Sequence, residues 1–319
     1  MRILFVTATR IGDAVLSTGL LSHLIERHPE GRLTIAAGPV AAPLFEAVPG
    51  LERIIVMDKR PWSLHWLPLY CRTAGRHWDI AVDLRGSALV WLLRAGERRV
   101  MGKGDSREHR VRQLGRLFGL DLSPAPVLWT LPRHERMAAG LVPPGGPVLA
   151  IGPAANWRGK EWRAERFAEL AKRLTAPGGP LPGARVAIMA AGHERAQAEP
   201  VLAAIPRDRC IDLVGRVDLL TAAAVMRRCA LFIGNDTGLM HIAAAAGAPT
   251  LGLFGPSPVD QYAPWGPRTA FVRSTDTPEM MFGPGFDHRT TDTLMDGLSV
   301  DAVEAAACRL LSMTASAAA

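Results

Sequence analysis

A polar turn bounded by glycines, Gly-Asn-Asp-Thr-Gly at residues 234–238, is the strongest candidate for chemistry in this sequence. It lies between an apolar run at 231–233 and a small-residue helical pattern that contains His241 one turn later. Glycines let a backbone approach a ligand closely, and a helix start offers unpaired N–H groups and the positive end of the helix dipole. The turn therefore predicts a diphosphate site, unless Asp236 or Thr237 only caps the helix.

A second turn, residues 152–162, also follows an apolar strand and precedes a helix. Lys160 and Arg158 stand where their cationic side chains can reach phosphate oxygens beyond the strand end. The spacing differs from GxxxxGK followed by Ser or Thr, which excludes a Walker A loop. Without the other motifs, this turn favours the interpretation of Lys160 as an ordinary surface lysine.

The third turn, Ile-Gly-Asp-Ala at residues 11–14, places an acid at the start of the first helical pattern. Asp13 is either an ordinary helix cap or a general base at the mouth of a cleft. The G-x-G-x-x-G fingerprint is absent from the sequence, which disfavours a nicotinamide-dependent Rossmann enzyme.

Apolar strand patterns alternate with helical patterns in both halves of the chain, which predicts parallel β-α-β units. A stretch rich in proline and glycine at 121–148 separates the halves, so we place two domains at 1–145 and 146–319. The predicted fold class is α/β, with two Rossmann-like doubly wound domains that face a cleft, because such sheets bind ligands beyond their carboxyl ends. The final amphipathic pattern, residues 299–310, belongs to the second domain or packs back on the first.

The composition indicates a globular chain with material for two cores, since it has 319 residues, of which 48% are hydrophobic and 21% charged. The four cysteines are scattered, with neither metal-ligand spacing nor a dense disulfide pattern, so we expect reduced thiols, a cytoplasmic location and no metal site. The apolar start is too short for a signal peptide, and no run reaches the roughly 18 apolar residues of a membrane span.

The net charge of +7 is concentrated at residues 94–116, the basic stretch, where eight Lys or Arg face three acids. This basic stretch is either a solvated helix face or a docking surface for phosphorylated lipid, a membrane or nucleic acid. Nucleic acid is disfavoured as a partner because aromatic residues make up 6% of the chain and no nucleic-acid-binding motif is present.

Together these motifs resemble glycosyltransferase family 9, the ADP-heptose:lipopolysaccharide heptosyltransferases. The resemblance lies in residues 2–18, in residues 152–170 with their Lys-Glu-Trp at 160–162, and in residues 234–256. These segments cover both halves of the chain in the family's order. The resemblance implies a GT-B fold and an inverting transfer of heptose from ADP-heptose to a lipopolysaccharide-core acceptor.

The resemblance also implies roles for individual residues. Asp13 would be the general base, and Lys160 would neutralise the leaving phosphate. The donor nucleotide sugar would be bound by residues at two helix starts of the second half: Glu194, Asp236, Thr237, Gly238, Met240 and His241.

In this family the N-terminal domain holds the acceptor, so we expect an anionic glycolipid there, at the inner-leaflet surface of the membrane. Arg60 lies near the family's basic acceptor site, and Arg85 and Arg110 are further candidates for acceptor binding. The apolar residues at 62–67 either rest on a membrane interface or form the core stripe of a helix. Gly19 stands where the family often has proline in the first helix.

Two other functions fit the motifs: a GT-B transferase or epimerase that uses another nucleotide sugar, and a non-catalytic nucleotide-sugar-binding protein. The presence of both Asp13 and Lys160 disfavours the non-catalytic alternative. Paired carboxylates with metal-ligand spacing are not recognisable, so we expect no obligatory metal cofactor, although Mg²⁺ could accompany the diphosphate.

Overall fold

The computed structural model describes residues 1–58, 65–105 and 107–316, and the chain divides into two compact units, Met1–Leu131 and Pro132–Ala319. Each unit has one parallel β-sheet accompanied by helices, so the predicted α/β class with two doubly wound domains is confirmed. Within the described ranges, every helix is too short or too polar to cross a membrane.

The first domain is built on five parallel strands: β1 (Arg2–Val6), β2 (Arg32–Ala37), β3 (Leu51–Val56), β4 (His77–Asp83) and β5 (Arg94–Val100). Their order in the sheet is β3-β2-β1-β4-β5. In the central strand, the four apolar residues after Arg2 are at most 1% exposed. A continuous apolar run of this kind is typical of a strand that is covered on both faces of a parallel sheet.

The described part of the first domain also has four α-helices: α1 (Ile11–Leu16), α2 (Thr18–Arg27), α3 (Trp66–Thr73) and α4 (Arg110–Arg116). The single helix predicted over 14–28 is interrupted at Ser17. The Ser17 hydroxyl donates to the Ala14 carbonyl at 2.7 Å, and the Thr18 hydroxyl donates to the Val15 carbonyl at 2.7 Å. Hydroxyl groups that bond back to helix carbonyls bend and weaken a helix, which accounts for the break.

Gly19 on α2 is required by a segment of chain that returns across this helix. A side chain at this position would collide with the Pro124 carbonyl, and its Cβ would lie 2.7 Å from the Ala125 carbonyl oxygen. The Val127 N–H donates to Thr18 Oγ1 at 3.0 Å and fixes the same segment. The departure from the family's proline therefore has a packing reason within the first domain.

The second domain has six parallel strands: β6 (Val148–Gly152), β7 (Arg185–Ile188), β8 (Cys210–Asp212), β9 (Leu231–Asn235), β10 (Thr250–Phe254) and β11 (Thr269–Arg273). Their order in the sheet is β11-β10-β9-β6-β7-β8. The chain builds outward from β6 to β8 and then restarts at β9, which pairs with the other side of β6. Such a reversal of strand order is the place where doubly wound sheets bind ligands, beyond the carboxyl ends of the strands.

The helices described in the second domain are α5 (Pro132–Leu141), α6 (Ala164–Thr175), α7 (Arg195–Ala204), α8 (Leu219–Met226), α9 (Gly238–Ala245), α10 (Val259–Tyr262), α11 (Pro278–Met281) and α12 (Val300–Ser316). The buried face of α12 contributes Val303, Ala307 and Leu310 to the same core as Leu251 and Leu253 of β10. The final helix is therefore part of the core of the second domain, and its predicted packing on the first domain stays a prediction.

The division between the domains lies 14 residues before the predicted boundary at 145/146, because α5 belongs to the second domain. This helix packs against α8. The Arg227 guanidinium lies 2.7 Å from the Glu135 carboxylate, and Arg228 donates to the Val142 carbonyl at 2.7 Å. The proline- and glycine-rich turn at 143–147 is thus an internal connection from α5 to β6.

Three strands that the sequence patterns did not predict, β5, β8 and β11, are all edge strands. An edge strand has one unpaired side, tolerates polar residues and lacks the long apolar run of a central strand. The strand β5 has the sequence Arg-Ala-Gly-Glu-Arg-Arg-Val, and its four charged residues leave no apolar run from which a strand could be predicted. The interpretation of the basic stretch as a helix face is therefore wrong for 94–100, and among its described residues, which exclude 106, only 110–116 are helical.

Candidate active site

The two polar turns of the second domain meet because their preceding strands pair in the sheet. Gly152 at the end of β6 lies opposite Gly234 of β9. A Cβ on Gly234 would lie 2.8 Å from the Phe232 ring and 2.9 Å from the Gly152 carbonyl oxygen. The two glycines thus admit the Phe232 ring between neighbouring strands. This packing gives Gly234 a structural role, and the close approach to a ligand that the sequence predicted for the turn stays a prediction.

The Asn235 side chain holds both ends of the turn that carries Lys160. Its amide nitrogen donates to the Pro153 carbonyl at 2.7 Å, and its amide oxygen accepts the Trp162 N–H at 3.1 Å. Asn235 is fully buried, so both hydrogen bonds are shielded from water. The backbone of the segment between Pro153 and Trp162, the lysine loop, is consequently fixed beside the end of β9.

Lys160, Asp236 and His241 form one cluster beyond the ends of β6 and β9. The Lys160 ammonium lies 2.7 Å from Asp236 Oδ2, and His241 Nε2 lies 3.9 Å from Asp236 Oδ1. The three side chains are 27%, 9% and 4% exposed, respectively. The structure therefore brings together three of the residues that the sequence predicted for one donor site, with a cation accessible at its mouth.

The helix α9 starts directly after this cluster. Thr237 is its N-cap residue, with an extended backbone, and its side chain makes no capping hydrogen bond. Asp236 bonds Lys160, so the interpretation of these two residues as simple caps is not supported. The N–H groups of the first turn, from Gly238 onward, have no carbonyl of their own helix to bond and are available to an anion.

Met240 and Glu194 differ from the other predicted donor residues. Met240 is fully buried beside Gly252, so its side chain belongs to the core, and its contact with the donor stays a prediction. Glu194 is half-buried, and its carboxylate accepts the Ala191 N–H at 2.8 Å at the start of the turn before α7. The contact of Glu194 with a ribose stays a prediction.

Glu161, which the sequence reasoning did not single out, joins the lysine loop to its surroundings. Its carboxylate accepts from Arg158 and from Gln197 on α7, each at 2.7 Å, and its backbone carbonyl accepts from the Thr293 hydroxyl. Burial raises the pKa of Glu161, although Arg158 acts in the opposite direction. Arg158 is thus paired with acids of the protein, and the contact with phosphate that the sequence suggested stays a prediction.

A second unforeseen support for the lysine loop is the segment 288–296. Trp157 donates its indole N–H to the His288 carbonyl at 2.7 Å, and the Leu294 N–H donates to the Gly159 carbonyl at 3.0 Å. Arg163, just after the loop, forms an ion pair of 2.6 Å with Asp296. These partners lie about 130 residues apart in the chain, so no local pattern could have predicted them.

Asp13 lies in the first domain, just beyond the carboxyl end of β1. It occupies the third position of α1, whose N-cap is Arg10, so its position is not that of a cap. A carboxylate in the first turn of a helix is stabilised by the helix dipole. The side chain is half-buried, as a general base that must still reach a substrate would be.

The sequence model of glycosyltransferase family 9 (heptosyltransferase) matches residues 103–283. The chain belongs to this family. Lipooligosaccharide heptosyltransferase 2 of Haemophilus influenzae is 24% identical to it over 313 residues, which cover 86% of this chain and 88% of that relative. The protein is therefore a glycosyltransferase.

Two solved structures show that this glycosyltransferase has the fold of its family over nearly all of the chain. A family 9 glycosyl transferase from Veillonella parvula has a TM-score of 0.78 at 20% identity, with 97% of both chains covered. ADP-heptose lipopolysaccharide heptosyltransferase II from Escherichia coli has a TM-score of 0.73 at 21% identity, with 98% of this chain and 99% of that one covered. The predicted GT-B fold is confirmed, and the predicted cleft between its domains stays a prediction.

Of the acceptor residues predicted for the glycosyltransferase, Arg85 has a defined setting. It follows β4, and its guanidinium lies over the Trp66 ring, 4.9 Å from the ring centroid. Burial lowers the pKa of Arg85 from its ordinary value, and Asp83 partly counteracts this. The Asp83 carboxylate accepts the Arg85 and Ser87 backbone N–H groups, each at 2.8 Å, and thereby shapes the turn that presents the guanidinium.

Several cations of the basic stretch are engaged in holding the first domain together. Arg98 donates to three backbone carbonyls, those of Val90, Leu93 and Ala95, at 2.7–3.0 Å. Arg99 and Arg116 form ion pairs with acids of the same stretch. Arg110 donates to the Gln113 amide oxygen at 3.2 Å, and its contact with an acceptor stays a prediction. Arg60 lies outside the described residues.

The described ranges contain no group of three or more His, Cys, Asp or Glu side chains arranged to hold a metal ion. In the second domain, the candidate site of the glycosyltransferase comprises Lys160, Asp236 and His241 at the start of α9.

Proposed function

We propose that this protein transfers heptose from ADP-heptose to the core of a lipopolysaccharide acceptor, with inversion at the anomeric carbon. The observation that carries the proposal is the cluster of Lys160, Asp236 and His241 at the start of α9. Membership of the heptosyltransferase family supports the choice of reaction. A structural relative that is named for ADP-heptose supports the choice of donor.

In the proposed reaction the diphosphate of the donor lies at the α9 N-terminus, in reach of Lys160. A positive charge held in place stabilises the negative charge that develops on the leaving phosphate, and the N–H groups of Gly238 and its neighbours add to this. Asp236 and His241 would contact the donor sugar or its phosphates. Glu194 would contact the ribose of the nucleotide.

Asp13 would act as the general base. It would remove the proton from the acceptor hydroxyl, whose oxygen then attacks the anomeric carbon from the face opposite the diphosphate. One C–O bond forms and the C–O bond to the phosphate breaks, so that ADP leaves with the bonding electrons. The reaction needs no bound metal to balance, and we propose that Mg²⁺ is not obligatory.

The acceptor in this proposal is an anionic glycolipid that the first domain meets at the inner leaflet of the membrane, which would make the protein cytoplasmic and peripheral. The cations Arg60, Arg85 and Arg110 would bind its charged groups. Trp91 and Leu92 are 65% and 67% exposed, and such side chains favour a membrane interface. They precede Arg94 of the basic stretch, so apolar and cationic groups are adjacent in the chain.

The decisive experiment is a calorimetric panel of ADP-, UDP-, GDP- and dTDP-sugars, followed by transfer from the donor that binds to a heptose-acceptor glycolipid. We expect ADP-heptose to bind best and to be turned over, with equal rates in EDTA and in Mg²⁺. Tight binding of a UDP-sugar without binding of ADP-heptose would contradict the heptose assignment. Binding without transfer to any acceptor would identify a non-catalytic protein.

A further inference from the structure

We propose that Asp236 is an internal competitor of the diphosphate for Lys160, and that it thereby weakens the hold of the site on the ADP product. The inference rests on the proposed function, because it concerns the nucleotide of that reaction. It assigns to Asp236 a role in product release that a contact with the donor sugar would not give it.

The ion pair shows why the two anions must compete. The Lys160 ammonium is 2.7 Å from Asp236 Oδ2, so the cation that is to receive the phosphate already has a carboxylate partner within the protein. The Asp236 side chain is 9% exposed and Lys160 is 27% exposed. Water therefore solvates the carboxylate only in part, which strengthens its attraction for a cation, whereas the ammonium remains accessible to a ligand.

When Lys160 changes its partner from Asp236 to phosphate, only the lysine side chain has to move, because hydrogen bonds hold both backbones in place. Asn235 holds the backbone at both ends of the lysine loop, and the Asp236 backbone N–H donates to the Leu253 carbonyl at 3.1 Å. The four-carbon stem of lysine rotates freely and its ammonium has no preferred direction of bonding. Lys160 can therefore turn from carboxylate to phosphate while both backbones stay in place.

Return of Lys160 to Asp236 would follow transfer. The contacts that stabilise the leaving diphosphate also bind the free product, so a site without a competing anion would release ADP slowly. When the Asp236 carboxylate pairs with the Lys160 ammonium again, it weakens the attraction between that ammonium and the phosphates of ADP. His241 Nε2 lies 3.9 Å from the other Asp236 oxygen, so a polar group remains beside the carboxylate while Lys160 binds phosphate.

The test is ADP binding to Asp236→Asn by calorimetry, with the ADP dissociation rate measured by stopped-flow fluorescence of N-methylanthraniloyl-ADP. Removal of the competing charge is expected to tighten ADP binding about tenfold and to slow dissociation by a similar factor. ADP contains no donor sugar, so the measurement is independent of any sugar contact. Asp208→Asn, an equal charge change at an exposed acid just before β8, is expected to leave the affinity unchanged.

A double-mutant cycle with Lys160→Ala separates competition from simple repulsion between Asp236 and phosphate. If Asp236 acts through Lys160, the gain from Asp236→Asn is mostly lost in the Lys160→Ala protein. Unchanged or weaker ADP binding by a folded Asp236→Asn protein overturns the inference, and so does a gain that persists in full without Lys160. Asp236→Ala, measured alongside, provides a second variant should the asparagine protein not fold.

Failure of the proposed function would have a different signature. A wild-type protein that binds none of ADP, UDP, GDP and dTDP contradicts both the proposed function and this inference. A wild-type protein that binds ADP, together with an Asp236→Asn protein that binds it no better, contradicts the inference alone.

Discussion

The lysine loop of the second domain and the basic stretch of the first domain use their charges in opposite ways. The lysine loop presents a single lysine, 2.7 Å from one carboxylate, on a backbone that is held at both ends by Asn235. The basic stretch contains eight cations, yet Arg98 is occupied by backbone carbonyls, and Arg99 and Arg116 by neighbouring acids. One well-placed charge at a strand end is therefore a stronger indication of a site than a high local density of charge.

The difference has a physical cause. Strand ends at a reversal of strand order bring several backbone and side-chain groups to one point, and burial there strengthens each interaction. An edge strand such as β5 has one unpaired side that faces water, where an exposed ion pair such as that of Arg99 with Glu97 contributes little. The following experiments test this contrast.

The largest effect is expected for Asp13→Ala. Loss of a general base should lower transfer about 10²- to 10⁴-fold, and ADP affinity should stay constant, because the donor site is proposed for the second domain. Initial rates of heptose transfer and calorimetry measure the two quantities. Asp121→Asn, at an exposed acid of the same domain, serves as the control, and equal transfer by wild type and Asp13→Ala would remove the base assignment.

Lys160→Ala and Lys103→Ala compare the two regions directly with one residue type. Because Lys160 is proposed to neutralise the leaving phosphate, kcat/KM for ADP-heptose should fall about 10²- to 10³-fold. The exposed Lys103 of the basic stretch should change it less than about fivefold. Equal losses in the two variants would show that overall positive charge, and not position, determines the activity.

Asn235→Ala tests whether the lysine loop depends on its amide clamp. The change leaves the Pro153 carbonyl and the Trp162 N–H without their buried partner, so the free energy of unfolding should fall by about 2–4 kcal/mol. Urea denaturation measures this loss, and KM for the donor should rise in the same protein. Asn156→Ala, at an exposed asparagine of the same loop, should stay within about 0.5 kcal/mol of wild type. A clamp variant as stable as wild type would show that other contacts hold the loop.

The smallest effects separate structural from surface arginines within the basic stretch. Arg98→Ala should lower the free energy of unfolding by about 1–3 kcal/mol, because backbone carbonyls lose their donors. The exposed Arg94→Ala should leave stability unchanged and weaken binding to anionic vesicles by about 1 kcal/mol. Thermal unfolding and vesicle co-sedimentation measure the two properties. If Arg94→Ala lost stability and Arg98→Ala lost only vesicle binding, the structural role given to Arg98 and the surface role given to Arg94 would both be wrong.

The sequence by itself was sufficient for the α/β class, the central strands and the family. Apolar runs such as 3–6 are imposed by burial on both faces of a sheet, and the polar turns that follow them carry Asp13, Lys160 and Asp236. These features are local, so composition and spacing reveal them. The edge strands β5, β8 and β11 were not predicted from the sequence, because one side of each is unpaired and tolerates polar residues.

Only the tertiary structure decided which side chains meet. Pairing of β6 with β9 places Lys160 against Asp236, 76 residues later, and puts Asn235 between the ends of the lysine loop. The tertiary structure also places α5 in the second domain and buries the Met240 side chain in the core. Partners of this kind are selected by strand order and packing, which depend on contacts across the whole domain, and a local sequence pattern contains no record of them.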